Sequence, residues 1–185
     1  MPLLRRCNRI ITGCAALWCA AVSSPGGVLG VAILLVAFLA APAGAPAKSD
    51  ADLLWATVNV CDSKKQPDVI GIRGSMPGTG KKGDMLMRFR VQYWSGKAWR
   101  MVRGDAADSG FLRAGSSRYK TRQAGVTFNF APDDDGTQLL RGYVQFEWRE
   151  DGKVVRRKTR ITERGHRSAK GADPSGYTAG DCVVS

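Results

Sequence analysis

The stretch from Leu139 to Thr162 constrains this chain most, because it reads as one complete β-hairpin. Val144, Phe146 and Trp148 alternate with Tyr143, Gln145, Glu147 and Arg149, and Asp151-Gly152 is a dipeptide suited to the tight two-residue turn. In a regular hairpin of this kind Glu150 faces Lys153, so Trp148 faces Val155, Phe146 faces Arg157 and Val144 faces Thr159. One inward position then carries an arginine. Inward charges guard sheet margins against edge-to-edge pairing, so the strand from Val154 to Thr162 is expected to be the last one, at an edge. On the outer face Glu147 is expected to meet Arg156, with Arg149, Lys158 and Arg160 beside Tyr143.

The rest of the chain after residue 50 follows the same period. Val69, Ile70 and Ile72 form a short apolar piece, and Met85, Met87, Phe89, Val91 and Tyr93 alternate with Leu86, Arg88, Arg90, Gln92 and Trp94. Ser95-Gly96-Lys97 turns this strand back toward Trp99 and Met101, which are available to the core. Val126, Phe128 and Phe130 restore the alternation. Between Arg103 and Gln123 the pattern is weakest, with Phe111 and Leu112 an edge strand at most. After Thr162 glycine becomes frequent, leaving an irregular tail with little to bury except Tyr177 and Val183. No long apolar stripe at helical spacing follows residue 50, and 22 glycines with 8 prolines suit many short strands and turns. The class is all-β, in a single domain over residues 48–185. The echo between Val91-Gln92-Tyr93 and Val144-Gln145-Phe146, each followed by a Gly-Lys turn, suits a sandwich with Trp99 and Trp148 as large core members.

Residues 1–47 have the order of an export signal. Arg5, Arg6 and Arg9 come first, Val28 to Ala41 is an unbroken apolar run, and Ala43, Ala45 and Ala47 precede the cut, which is expected after Ala47. The alternatives are a start further downstream, or retention of the segment as a single transmembrane anchor. Of 28 basic residues only those three arginines fall in the leader, while all 16 acidic residues follow it, so the remainder carries a formal +9. A charge of that sign favours solubility and attraction to polyanions, and says nothing about fold.

Export also removes Cys7, Cys14 and Cys19, leaving Cys61 and Cys182 alone in the mature chain. Two such cysteines in an oxidising compartment are expected to bridge; two buried free thiols are the alternative. A bridge would close about 120 residues, worth about 4 to 5 kcal/mol as an upper figure in the chain-entropy model.

The Asp68-Val69-Ile70 strand, the Arg88-Phe89-Arg90-Val91 strand and the late Phe146-Glu147-Trp148 hairpin with its Asp-Gly-Lys-Val-Val-Arg-Arg return resemble immunoglobulin-like, adhesion-type modules of exported proteins from high-GC bacteria. The resemblance spans Cys61 to Thr162. It implies an immunoglobulin-like or fibronectin-III-like sandwich of about seven antiparallel strands, acting as a binding or spacer unit without catalytic residues. The single module and the long tail before Cys182 depart from that pattern.

Other motifs carry less. Gly74 to Lys82 is a poor phosphate loop, since five residues separate Gly74 from Gly80 where four are required and Lys82 stands where Ser or Thr must meet magnesium. Asp133-Asp134-Asp135-Gly136 reads as a solvated turn, because adjacent aspartates do not all point at one cation. His166, the one histidine, has no orienting partner evident in sequence and reads as a surface residue. Arg103-Gly104-Asp105 is a tripeptide common by chance. No acid, base and nucleophile set emerges, no cofactor or metal is implied, and nucleic acid is not expected as a partner outside the cell. What remains is the basic cluster Lys153, Arg156, Arg157, Lys158, Arg160, Arg164, Arg167 and Lys170. Its Arg156, Lys158 and Arg160, together with Arg149 and Tyr143 of the preceding strand, are the expected contacts for phosphate, sulfate or carboxylate groups of an envelope polymer or another surface protein. Arg88 and Arg90 are expected on the opposite sheet, spreading the charge. The function expected is therefore that of an exported, non-enzymatic binding or structural accessory at the cell envelope, or the outer domain of an anchored protein.

Overall fold

The apolar alternations become antiparallel strands in two sheets, nine of them among the residues that this computed structural model describes, 49–130 and 136–185. The leader and Asp133 to Asp135 lie outside those residues, and so do the expectations placed on them. Ser49 caps a short helix, α1 (Asp50–Leu53). Then come β1 (Trp55–Ser63), β2 (Gln66–Pro77), β3 (Asp84–Trp94), β4 (Trp99–Met101), a single 3-10 turn, β5 (Asp108–Ser116), β6 (Thr121–Asn129), β7 (Gln138–Glu150), β8 (Lys153–Ile161) and β9 (Asp181–Val184). Nine strands replace the seven expected. The excess of two comes from β5, where sequence offers an edge strand at most, and from β9 at the end of a tail that composition marks as irregular.

One sheet has the order β1-β2-β6. The other is built on the long central pair β3 and β7, with β4 and β5 along the free edge of β3 and β8 and β9 along the free edge of β7. The period-2 pattern turns Met85, Met87, Phe89 and Val91 of β3 and Val144, Phe146 and Trp148 of β7 inward, onto Val58, Ile70, Ile72, Met76 and Phe128 of the smaller sheet. The indole Nε1 of Trp148 donates to the carbonyl of Pro77 at 2.8 Å, so the largest core side chain leaves no polar atom unpaired. Gly74 in β2 lets the sheets approach there, since a Cβ would lie 3.1 Å from the Met87 sulfur and 3.2 Å from the Phe146 ring. The glycine of the supposed phosphate loop is a core-facing strand residue.

Asp151 and Gly152 take φ of 48° and 78°, the two positive values that the tight hairpin turn needs. The register that follows differs from the regular one. Glu150 pairs with Lys153 and Arg149 with Val154, but a bulge then leaves Val155 over, so Trp148 faces Arg156, Glu147 faces Arg157, Phe146 faces Lys158 and Val144 faces Arg160. A shift of one residue exchanges the two faces of β8. The inward Arg157 is thereby corrected to an outward one, and three cations, Arg156, Lys158 and Arg160, take the core-side margin. β8 does lie at the sheet edge, but it is not the last strand, since β9 follows it in the chain and pairs with β7.

Trp99 also departs from expectation. It pairs with Trp94 across the β3–β4 turn on the outer face, where their rings meet at 5.5 Å and 60°, and the core is closed without it.

The tail is a structural element. Thr162 accepts a bond from the Gly142 amide at 2.9 Å and donates to the Gly180 carbonyl, tying both ends of the segment. Between them Glu163 donates to Ala56, Asp173 to Asn59, and Ala179 exchanges bonds with Val58, so the tail covers the free edge of β1. His166 stacks on Trp55 at 4.6 Å with its Nε2 3.1 Å from a Glu163 carboxylate oxygen. It is thus a half-buried anchor with a partner three residues away, in place of the unpartnered surface residue expected. The crossing delivers Cys182 beside Leu140 and onto Cys61, with Cα atoms 5.4 Å apart in a disulfide. The pairing expected from sequence is the one formed.

A candidate anion-binding sheet face

The outer face of the larger sheet is built by one parity. With Met85 to Val91 facing inward, Leu86, Arg88, Arg90 and Gln92 face out, and direct pairing of β3 with β7 sets them against Glu147, Gln145, Tyr143 and Arg141. Arg88 and Arg90 therefore share a face with Tyr143 and Arg149. The expectation that they occupy the opposite sheet is corrected, because β3 and β7 pair across a long sequence separation.

Most of these cations are committed. Glu147, at 1% exposure of its side chain, receives Arg149 at 2.7 Å and Arg157 on its other oxygen. Burial pushes its carboxyl up, but the two guanidinium groups together outweigh that and hold it below the ordinary glutamate value. Arg88 binds Asp108 bidentately and lowers its carboxyl in the same way, while Arg113 meets Asp84 at 2.7 Å. Phe111 lies between Arg88 and Arg149, with its ring centre 5.8 and 5.4 Å from their guanidinium carbons.

Two arginines on this face form no ion pair among the described residues. Arg90 lies over the Tyr143 ring at 4.9 Å, and Arg141 over the Trp99 ring at 4.1 Å with its Nε donating to Gln92 at 2.8 Å. They stand in adjacent outward rows of the sheet, about 7 Å apart along the strands. Each guanidinium lies over an aromatic ring, a contact worth about 0.5 to 1 kcal/mol at such exposure. The ring restrains the planar group, and its N–H edge suits carboxylate, sulfate or phosphate. Trp94, 41% exposed, extends the aromatic surface past Trp99.

The bulge at Val155 divides the cluster expected from sequence. Arg149 and Tyr143 belong to the outer face, whereas Arg156, Lys158 and Arg160 point to the other side of β8. There Arg156 lies 4.5 Å over the Trp148 ring and 3.4 Å from Asp50, and Arg160 donates to the Leu54 carbonyl at 3.2 Å. Two of those three hold α1 against the sandwich. The residues that sequence reasoning missed, Arg90 and Arg141 with Trp99, carry the same outward parity as Tyr143. The alternation of β3 gave half of that signal, and the β3–β7 pairing, invisible locally, gave the rest.

Among the described residues no group of three histidine, cysteine, aspartate or glutamate side chains is placed to hold a metal ion, and no helix is long and apolar enough to cross a membrane. Compared with known protein families, with curated proteins and with solved structures, the chain matches none of them.

Proposed function

We propose that this protein is an exported, non-enzymatic binding or structural accessory of the cell envelope, and that the outer face of its larger sheet engages an anionic polymer. The observation that carries the reading is the pair of ring-supported guanidinium groups that make no direct ion pair, Arg90 on Tyr143 and Arg141 on Trp99. An open sheet surface suits an extended polymer better than a small molecule, which favours enclosed pockets. The aromatic rings beside the cations suit a polysaccharide bearing carboxylate, sulfate or phosphate, since sugar rings pack on exposed aromatics while the charges meet arginine. Export is supported by the Cys61–Cys182 bridge, a bond that persists in oxidising compartments. An immunoglobulin-like relationship is supported by the two-layer antiparallel arrangement.

Affinity electrophoresis tests the reading. Migration is expected to slow in gels cast with an acidic polysaccharide and to stay unchanged with a neutral one of similar length; equal migration in both overturns it.

A further inference from the structure

The smaller sheet holds a cation of its own. Arg73 stands on the outer side of β2, paired with Thr57 of β1 and Gly125 of β6. Its side chain lies across Gly125, where a Cβ would come within 2.9 Å of Nε. On its other side is Gly171 of the tail, where a Cβ would stand 3.0 Å from a terminal guanidinium nitrogen. The Nε atom is buried without a hydrogen-bond partner. Arg73 forms no ion pair among the described residues. Burial pushes its guanidinium below the ordinary arginine value, and no carboxylate acts against that. Partly buried charges in proteins are ordinarily paired, because desolvation without a counter-charge is costly.

Arg73 borders a hollow of about 160 Å³ that Gln66, Thr127, Asn59 and the two glycines help to line. Asn59 is already engaged, donating to the carbonyls of Lys170 at 3.1 Å and Gly171 at 2.9 Å, which fixes the tail as one wall. The nearby carboxylate of Asp173 is taken by Ser63 at 2.7 Å and by the side-chain amide of Gln66 at 3.4 Å. A cation without a counter-ion, a small hollow and polar neighbours on three chain segments together define a site for one anion.

We propose that this hollow binds a single oxyanion, a phosphate, sulfate or carboxylate group, through Arg73 with Thr127 as a further donor. The site is separate from the outer face of the larger sheet and does not depend on it. Because Gly171 forms one wall, the anion binds only when the tail is docked, so occupancy stabilises the docked tail by mass action.

The experiment is thermal melting and tryptic cleavage of the mature protein in inorganic phosphate, inorganic sulfate or glycerol 3-phosphate, each against chloride at fixed ionic strength. A saturable rise in melting temperature is expected, with slower cleavage at Arg164, Arg167 and Lys170. Arg73→Met is expected to weaken the apparent affinity about 10- to 100-fold, the loss of a charge-assisted bond. Thr127→Val at an exposed position is expected to weaken it severalfold, and carries the test if Arg73→Met does not fold. Lys120→Met, at an exposed position between β5 and β6 and outside both surfaces, is expected to leave it unchanged. An effect of glycerol 3-phosphate equal to that of inorganic phosphate supports a phosphate borne on a larger molecule, and a smaller one supports the free anion. No saturable rise, or the same rise in both Arg73→Met and Thr127→Val, overturns the proposal.

Discussion

Trp148 and Arg156 face each other across β7 and β8, with the guanidinium carbon 4.5 Å from the indole ring. The bulge at Val155 makes this pair possible. It also brings Arg157 onto Glu147 and sorts the basic residues of β8 onto two faces.

Deleting Val155 is expected to be tolerated. The residue is 53% exposed and unpaired, and its removal leaves a regular hairpin with every later pair intact. Urea unfolding is expected to show a change within about 1 kcal/mol. Deleting Lys158 instead shifts Arg160, Ile161 and Thr162 to the wrong faces, and a loss of at least about 2 kcal/mol is expected.

Glu147→Gln removes the charge shared by Arg149 and Arg157. Both arginines keep access to water, so the expected cost at pH 7 is about 1 to 2 kcal/mol, below that of breaking a fully buried pair. Because the folded carboxyl titrates below its unfolded value, the stabilisation is fully present above about pH 4.3 and is lost as pH falls through the lower folded value. Unfolding midpoints of wild type and variant are therefore expected to differ at pH 7 and to converge as pH falls below that value.

The Cys61–Cys182 bridge closes a separation of 121 residues, and replacing both cysteines by alanine is expected to lower stability by at least about 2 kcal/mol and at most about 5. Denaturant titration without reductant checks this. Dithiothreitol is expected to lower the wild-type midpoint toward that of the variant and to leave the variant unchanged.

Thr162→Val strands the Gly142 amide and the Gly180 carbonyl, at a cost of about 1 to 2 kcal/mol. Its sharper consequence is local. The segment between these two ends opens more often, so trypsin is expected to cut at Arg164, Arg167 and Lys170 severalfold faster while the two sheets resist.

The fold was legible where its cause is local. Alternation in β3 and β7 marks the core, the Asp151-Gly152 turn takes the backbone its residues favour, and solitary cysteines pair. The bulge leaves no mark in sequence, because Val154 and Val155 fit a regular strand equally well. What selects it is the contact of Arg156 with Trp148 and of Arg157 with Glu147, which exists only once β8 is paired. The tail was unreadable for a similar reason: its grip on β1 runs through backbone groups of Ala56, Val58 and Asn59, which any residue supplies. The candidate site was half legible. Tyr143 and Arg149 lie on the outer face that alternation assigns them, but the cations without a direct ion pair, Arg90 and Arg141, depend on which strand lies beside β3.

Retention on an anionic polysaccharide column across a salt series tests the central claim most directly, comparing Arg90→Ser with Arg141→Ser against Arg156→Ser with Lys158→Ser and Arg160→Ser. If the outer face is the binding surface, the first pair loses most of its retention, and its slope against the logarithm of salt falls by about two, one for each cation withdrawn. The second set is expected to keep most of both. Full retention by the first pair, with loss in the second set, would contradict the account and return the site to the margin of β8.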